Sequence, residues 1–304
     1  MITDTIHTAP AEQRDIRSQH DPLPDTTRPL KGHIAIVTGA SRGAGKGIAL
    51  TLGSAGATVY VLARTSRHHP RQDDIPGTIE DTAEAVTARG GKGIALKCDC
   101  SDQWQLEAAI NRIGAEGGHI DLLVNCAWAG NELPIDLKPF WEQSKEHWKN
   151  MFELGVKTYL LASAAVVPWM LPHQNGLIVN ISFWDRDKYT GQFFYDLAKS
   201  AMNRMAFSMA TELKPHSITA IALSPGFMRT ERVLKVFAED PSHAELAGFP
   251  TETTEYVGRA VTALAADRNV LRHTGKALCV GDLAKEYGFT DVDGTQPLPF
   301  RMPD

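Results

Sequence analysis

From His33 onward the chain alternates short apolar runs with longer amphipathic stretches. The runs are Ile34–Val37, Val59–Leu62, Ile94–Leu96, Leu122–Val124, Leu177–Ile181, Ile218–Ala222 and Ala277–Val280. Most are apolar at consecutive positions rather than at every second one, as strands covered on both faces should be. Between them the spacing predicts helices over 44–55, 78–89, 102–116, 147–171, 195–212 and 252–266. Strand–helix–strand repetition of this kind predicts an α/β fold in three layers, doubly wound around seven mostly parallel strands. Ligands then bind beyond the carboxyl ends of the strands. Residues 1–30 carry Pro10, Pro22, Pro24 and Pro29 and no hydrophobic period, and read as an extended or disordered arm. That leaves 31–304 as one domain, with no internal repeat.

Composition narrows the partners. A formal net charge of −5 over 304 residues gives no general attraction for nucleic acid or anionic lipid. The longest apolar stretch, Leu160–Leu171, is too short to span a bilayer and contains Pro168. No basic–apolar–small leader pattern opens the chain, so the expectation is a soluble cytoplasmic protein without a membrane partner. Of the four cysteines, Cys98 and Cys100 flank Asp99 without further ligands at zinc spacing, and His68–His69 lies in a polar loop. No metal is expected.

Two segments carry chemistry. The first strand runs into Thr38-Gly-Ala-Ser-Arg-Gly-Ala-Gly45 and then a helix, so Gly39, Ser41, Arg42, Gly43, Ala44 and Gly45 form a candidate phosphate cradle. Glycine there lets the backbone approach a pyrophosphate closely. The second strand ends in Leu62-Ala-Arg64 with no acidic residue, and Arg64, helped by Arg42, can pair with a 2′-phosphate. That favours NADP(H) over NAD(H). In Tyr195-Asp-Leu-Ala-Lys199 the spacing of four puts both side chains on one helix face. A neighbouring ammonium favours the phenolate and brings the phenol nearer to working pH. Ser182, thirteen residues before Tyr195, can donate its hydroxyl to a substrate carbonyl.

With these pieces in order the chain resembles the short-chain dehydrogenase/reductase family over residues 31–285. The resemblance rests on Thr38-Gly39-x-x-x-Gly43-x-Gly45, Cys98-Asp99, Asn125-x-Ala127, Ser182, Tyr195-x-x-x-Lys199 and Pro225-Gly226-x-x-x-Thr230. Val37–Gly43, Gly56–Tyr60 and Tyr287–Gly294 look most like one branch of it. The resemblance implies a Rossmann fold and reversible carbonyl–alcohol interconversion. Asp99, with Cys100 beside it, would contact the adenine, Asn125 and Ala127 would line the cofactor groove, and Pro225, Gly226 and Thr230 would cover the nicotinamide. Tyr195 and Lys199 would also touch the cofactor, and helices 147–171 and 195–212 would pair in a homodimer or homotetramer. Glu231–Phe249 would form a lid. Trp128, Phe183, Trp184, Phe193 and Phe194 suggest a pocket for an apolar or ring-containing carbonyl or alcohol.

Three departures stand out. Trp128 replaces a glycine of the family pattern, Gly155 falls where the family has an asparagine of its proton relay, and strand matching would put Phe183 rather than Ser182 at the serine position. Counting back from Tyr195 selects Ser182. Two other readings fit the same motifs: a non-catalytic NADPH-binding sensor, and a cofactor-assisted isomerase or dehydratase.

Overall fold

A computed structural model describes residues 27–71, 75–134, 137–184, 188–239 and 251–302. The polar arm, apart from residues 27–30, lies outside the described residues. Leu30, assigned to that arm from sequence, is instead 1% exposed in the core, and its N–H donates to the Ala55 carbonyl. The packed unit therefore begins a few residues earlier than composition suggested.

All seven apolar runs form strands: β1 (Ile34–Thr38), β2 (Thr58–Ala63), β3 (Lys92–Lys97), β4 (Leu122–Asn125), β5 (Gly176–Ile181), β6 (Ile218–Ser224) and, after a short pair, β9 (Ala277–Cys279). Their order is β3-β2-β1-β4-β5-β6-β9, and every pairing is parallel. The short pair is β7 (Phe227–Met228) with β8 (Thr251–Glu252). Alternate residues of each central strand enter different cores. Ala35, Val37, Val59 and Val61 face the layer of α1 (Gly43–Ser54), α2 (Ile79–Ala88), α8 (Thr254–Ala266) and α9 (Val280–Tyr287). Ile34, Ile36, Tyr60 and Leu62 face α3 (Gln103–Gly117), α5 (Lys157–Met170) and α6 (Phe193–Leu213). Two-sided burial is why the runs are continuously apolar.

Local chemistry sets the helix ends. The Thr78 hydroxyl accepts from the Asp81 N–H at the start of α2, and the Asp102 carboxylate accepts from the Trp104 and Gln105 N–H groups at the start of α3. Gly118, at φ +77°, closes α3 in the left-handed conformation. Val280, the last residue of the expected seventh strand, begins α9 instead. Residues 146–173 are long and apolar enough to cross a membrane by composition alone. Here Ala162, Val166 and Met170 of that stretch are buried in the second core. It is not one regular helix: α4 (Glu146–Trp148) passes into a π-helical stretch, Lys149–Val156, before α5.

After α9 the chain turns back. Asp291 accepts from the Thr253 N–H, Tyr256 donates to the Pro297 carbonyl, and Gln296 donates to the Ala284 and Phe289 carbonyls. Phe300 thereby comes 5.9 Å from Phe183, ring centre to ring centre.

The approach of α1 to α8 depends on Gly47, where an added Cβ would collide with the Thr254 carbonyl. Gly47→Ala should therefore cost about 1–3 kcal/mol through overpacking. The measurement is the midpoint of chemical denaturation; an unchanged midpoint would mean that the two helices can part freely.

Candidate active site

The sheet's order reverses between β1 and β4, and a cleft of about 360 Å³ opens above their carboxyl ends. Gly39, Ser41, Arg42, Gly43, Ala44 and Gly45 line one end of it. Two of the three glycines are also required by the protein's own packing, a reason the sequence argument did not include. A Cβ on Gly39 would sit 2.7 Å from the Ala127 Cα, and one on Gly45 would sit 2.5 Å from the Gly39 carbonyl. Gly43, at φ +58°, is the one without a clash: a Cβ there would stand 3.8 Å from the Thr230 methyl. Its N–H, at the start of α1, donates to the Glu231 carboxylate at 2.8 Å. That carboxylate marks the helix terminus as an anion position. Glu231 opens α7 (Glu231–Glu239), the described part of the expected lid; 240–249 lie outside the described residues.

A second anion position lies near the end of β2. Arg64 donates to Glu132 at 3.1 Å, and Arg71, from the following loop, donates to the same oxygen at 3.0 Å. All three line the cleft, as does Arg42. Neither Arg71 nor Glu132 was singled out from sequence. Asp99 and Cys100 line the adjoining wall, where Asp99 accepts from the Ser101 N–H and hydroxyl. The Cys98 and Cys100 thiols hydrogen-bond each other; that bond holds Cys98 below the usual thiol range and, with burial, pushes Cys100 well above it.

The other end holds Tyr195, Lys199 and Ser182. The Lys199 ammonium lies 5.5 Å from the centre of the Tyr195 ring. Burial, more than mutual charge, sets both groups: it raises the Tyr195 phenol and lowers Lys199 to about 8. Burial thus outweighs the expected lowering of the phenol by its lysine. Ser182 is buried, and its hydroxyl donates to the Lys199 carbonyl at 3.1 Å rather than to the tyrosine. Phe183 lines the cleft beside it, 6.2 Å from the Tyr195 ring.

Trp128 and Gly155, two separate departures in the sequence, belong to one arrangement. Gly155 lies in the π-helical stretch, and the Trp128 indole fills the space a side chain there would take. The same ring covers Lys199, 4.0 Å from Nζ to ring centre, and meets Tyr195 edge-on at 6.1 Å.

Ala127, Pro225, Gly226 and Thr230 line the cleft. Behind Gly226 stands the buried Glu252 carboxylate, which burial pushes up to about 7 although the Gly226 N–H bonds to it. Asn125 differs from expectation. It is fully buried behind the cleft wall, and its amide donates to Ser163 and Asn180, tying β4 to α5 and β5. The expected aromatic lining is also thinner: Trp128 and Phe183 face the cleft. Phe193 packs on Phe140 and Phe194 stacks on His147, while the Trp184 N–H donates to Ser224.

Comparison with known proteins agrees with this geometry. The family model for short chain dehydrogenases matches residues 33–241. Dehydrogenase/reductase SDR family member 1 is 35% identical over 276 residues in both Mus musculus and Homo sapiens, covering 88% of this chain and 85% of each relative. The crystal structure of a hydroxysteroid dehydrogenase from Escherichia coli superposes with a TM-score of 0.67 at 25% identity, covering 83% of this chain and 96% of that one.

The Glu231 carboxylate holds the N–H at the start of α1 that the sequence argument assigns to a dinucleotide phosphate. Glu231→Gln should therefore tighten dinucleotide binding several-fold, because a charge-assisted hydrogen bond is worth about 1.5–3 kcal/mol and its loss removes a competitor. Fluorescence titration with the dinucleotide reads the effect, and weaker binding would show that Glu231 aids the ligand instead.

Proposed function

The chain belongs to the short-chain dehydrogenase family, and from that membership we propose an NADP(H)-dependent oxidoreductase that interconverts a carbonyl and an alcohol. Membership itself makes it an oxidoreductase with a nicotinamide cofactor acting on a small molecule. The observation that carries the finer reading is one cleft joining two anion positions to a half-buried tyrosine and its buried lysine.

The residues present fit the cofactor. Each anion position already holds a carboxylate, so its donors are aimed before any phosphate arrives. Gly43 would take a pyrophosphate oxygen, and Arg64 with Arg71 would take the 2′-phosphate from Glu132. Two guanidiniums converging at the end of β2, a strand that closes on no acidic residue, support NADP(H) over NAD(H). When bound, the cofactor supplies or accepts the hydride at the nicotinamide.

The protein's own groups handle the proton. Because burial raises its pKa, Tyr195 is a protonated phenol at neutral pH and serves as acid in the reducing direction. Lys199, at about 8, is still mostly ammonium at pH 7 and stabilises the phenolate left behind. Ser182, released from the Lys199 carbonyl, would hold the substrate oxygen. Trp128, Phe183, Leu154 and Met228 along the cleft support an apolar or ring-containing substrate. Exposed Leu160 on α5 and Leu197 and Phe207 on α6 support a homo-oligomer joined through those helices.

Two measurements test the reading. Tyr195→Phe should keep NADPH binding and lose nearly all turnover in a screen of ketones, aldehydes and alcohols followed at the nicotinamide absorbance; retained turnover overturns the assignment. Arg64→Ala should weaken NADPH binding about tenfold or more, the loss of one charge-assisted contact, and leave NADH nearly unaffected. Equal losses for both cofactors would place Arg64 away from the 2′-phosphate.

A further inference from the structure

Lys199 is 7% exposed, and its surroundings are unusual for a buried ammonium. Among the described residues its hydrogen-bond partner is the Met202 sulfur at 3.9 Å, a weak acceptor. Among the described residues no carboxylate faces it. The titratable groups around it are Tyr195 on its own helix, with Asp196 beyond, Cys126 from the turn after β4, and Tyr159 from α5 behind them. A buried cation without an oxygen partner is costly, and something must offset that cost.

The Trp128 ring is the group in place to do so. Its centre is 4.0 Å from Nζ, within the range where a cation is drawn to the negative face of an indole. The attraction grows when water is excluded. The ring reaches the lysine through a slot cleared on two separate elements. A Cβ on Gly155, in the π-helical stretch, would lie 2.7 Å from the indole, and one on Gly130 would also collide with it. Tyr195 closes the slot edge-on, with the rings at 84°.

We propose that Trp128 is a positioning residue for the Tyr195–Lys199 pair, its ring face serving as the electrostatic partner that keeps the lysine charged and in place. The proposal rests on the reading of that pair as the acid–base machinery. Burial lowers the affinity of Lys199 for its proton; the ring face opposes that lowering. Removing the face while keeping the site apolar therefore lowers the lysine pKa further. A neutral lysine no longer stabilises the tyrosine's phenolate.

The test reads the lysine directly and needs no substrate. The cofactor-free full chain is trace-acetylated with acetic anhydride across a pH series, and modification of Lys199 is followed by peptide mass analysis. Trp128→Leu should move the labelling midpoint down by about one pH unit, the shift expected on losing a desolvated cation–π attraction. Trp128→Phe should move it less, and Gly155→Ala, which displaces the ring without removing it, should also lower it. A purely structural tryptophan would leave the midpoint where it is. An unchanged or raised midpoint in Trp128→Leu overturns the proposal. If circular dichroism shows that the leucine variant has not folded, Trp128→Phe decides, with a lowered midpoint supporting the proposal and an unchanged one overturning it. Because labelling does not depend on turnover, failure here is distinct from retained activity in Tyr195→Phe.

Discussion

The contact between Gly39 and Ala127 sets the spacing of the whole carboxyl edge of the sheet. The two backbones meet at a separation that leaves no room for a methyl group. Thr38 reinforces it by accepting the N–H groups of both Cys126 and Ala127 on one hydroxyl. The loop after β1 and the turn after β4 are thereby locked together across the point where strand order reverses. The start of α1, with its N–H toward the cleft, depends on the first of these. The reach of Trp128 to Lys199 depends on the second. A shift here would move the start of α1 and the Tyr195–Lys199 pair relative to each other, and interiors packed at crystalline density do not absorb such shifts gradually.

The cleft's charges follow a common plan. At each anion position the donors already hold a carboxylate, Glu231 at Gly43 and Glu132 at the two arginines. On the proposed reading a phosphate arriving there would exchange one anion for another instead of meeting unpaired donors, so little ordering would remain to be done on binding. The opposite rule holds at the chemical end. There Ser182 and Lys199 are buried and Tyr195 half-buried, and desolvation separates the proton affinities of the pair, upward for Tyr195 and downward for Lys199.

Much of this was legible in the sequence because it is local. Continuous apolar runs mark strands buried on both faces, and the spacing of four between Tyr195 and Lys199 puts them one turn apart. What was not legible depends on residues far apart in the chain. Glu231 reaches Gly43 across 188 positions, and Arg64 meets Glu132 across 68. The glycine spacing was visible, yet its cause was not: Gly39 and Gly45 make room for protein backbone, which no local pattern reports. Asn125 carries a family motif on a strand whose side chains alternate between faces, and the motif alone does not say which face the amide takes. Trp128 and Gly155 each read as a separate anomaly until the fold brought the indole onto the glycine. The sign of the tyrosine's shift was missed for the same reason, since burial is a property of the assembled cleft.

Phe300 reaches the cleft wall from a segment that contributes nothing to the strands or to the acid–base pair. It is held through Tyr256, Gln296 and α9, on the far side of the machinery. The wall and the chemistry are therefore separately editable. A substitution at Phe300 would reshape the space beside Phe183 without altering Tyr195, Lys199, Gly43 or Arg64 themselves. Such partition gives a lineage a route to new substrates that does not pass through an inactive ancestor.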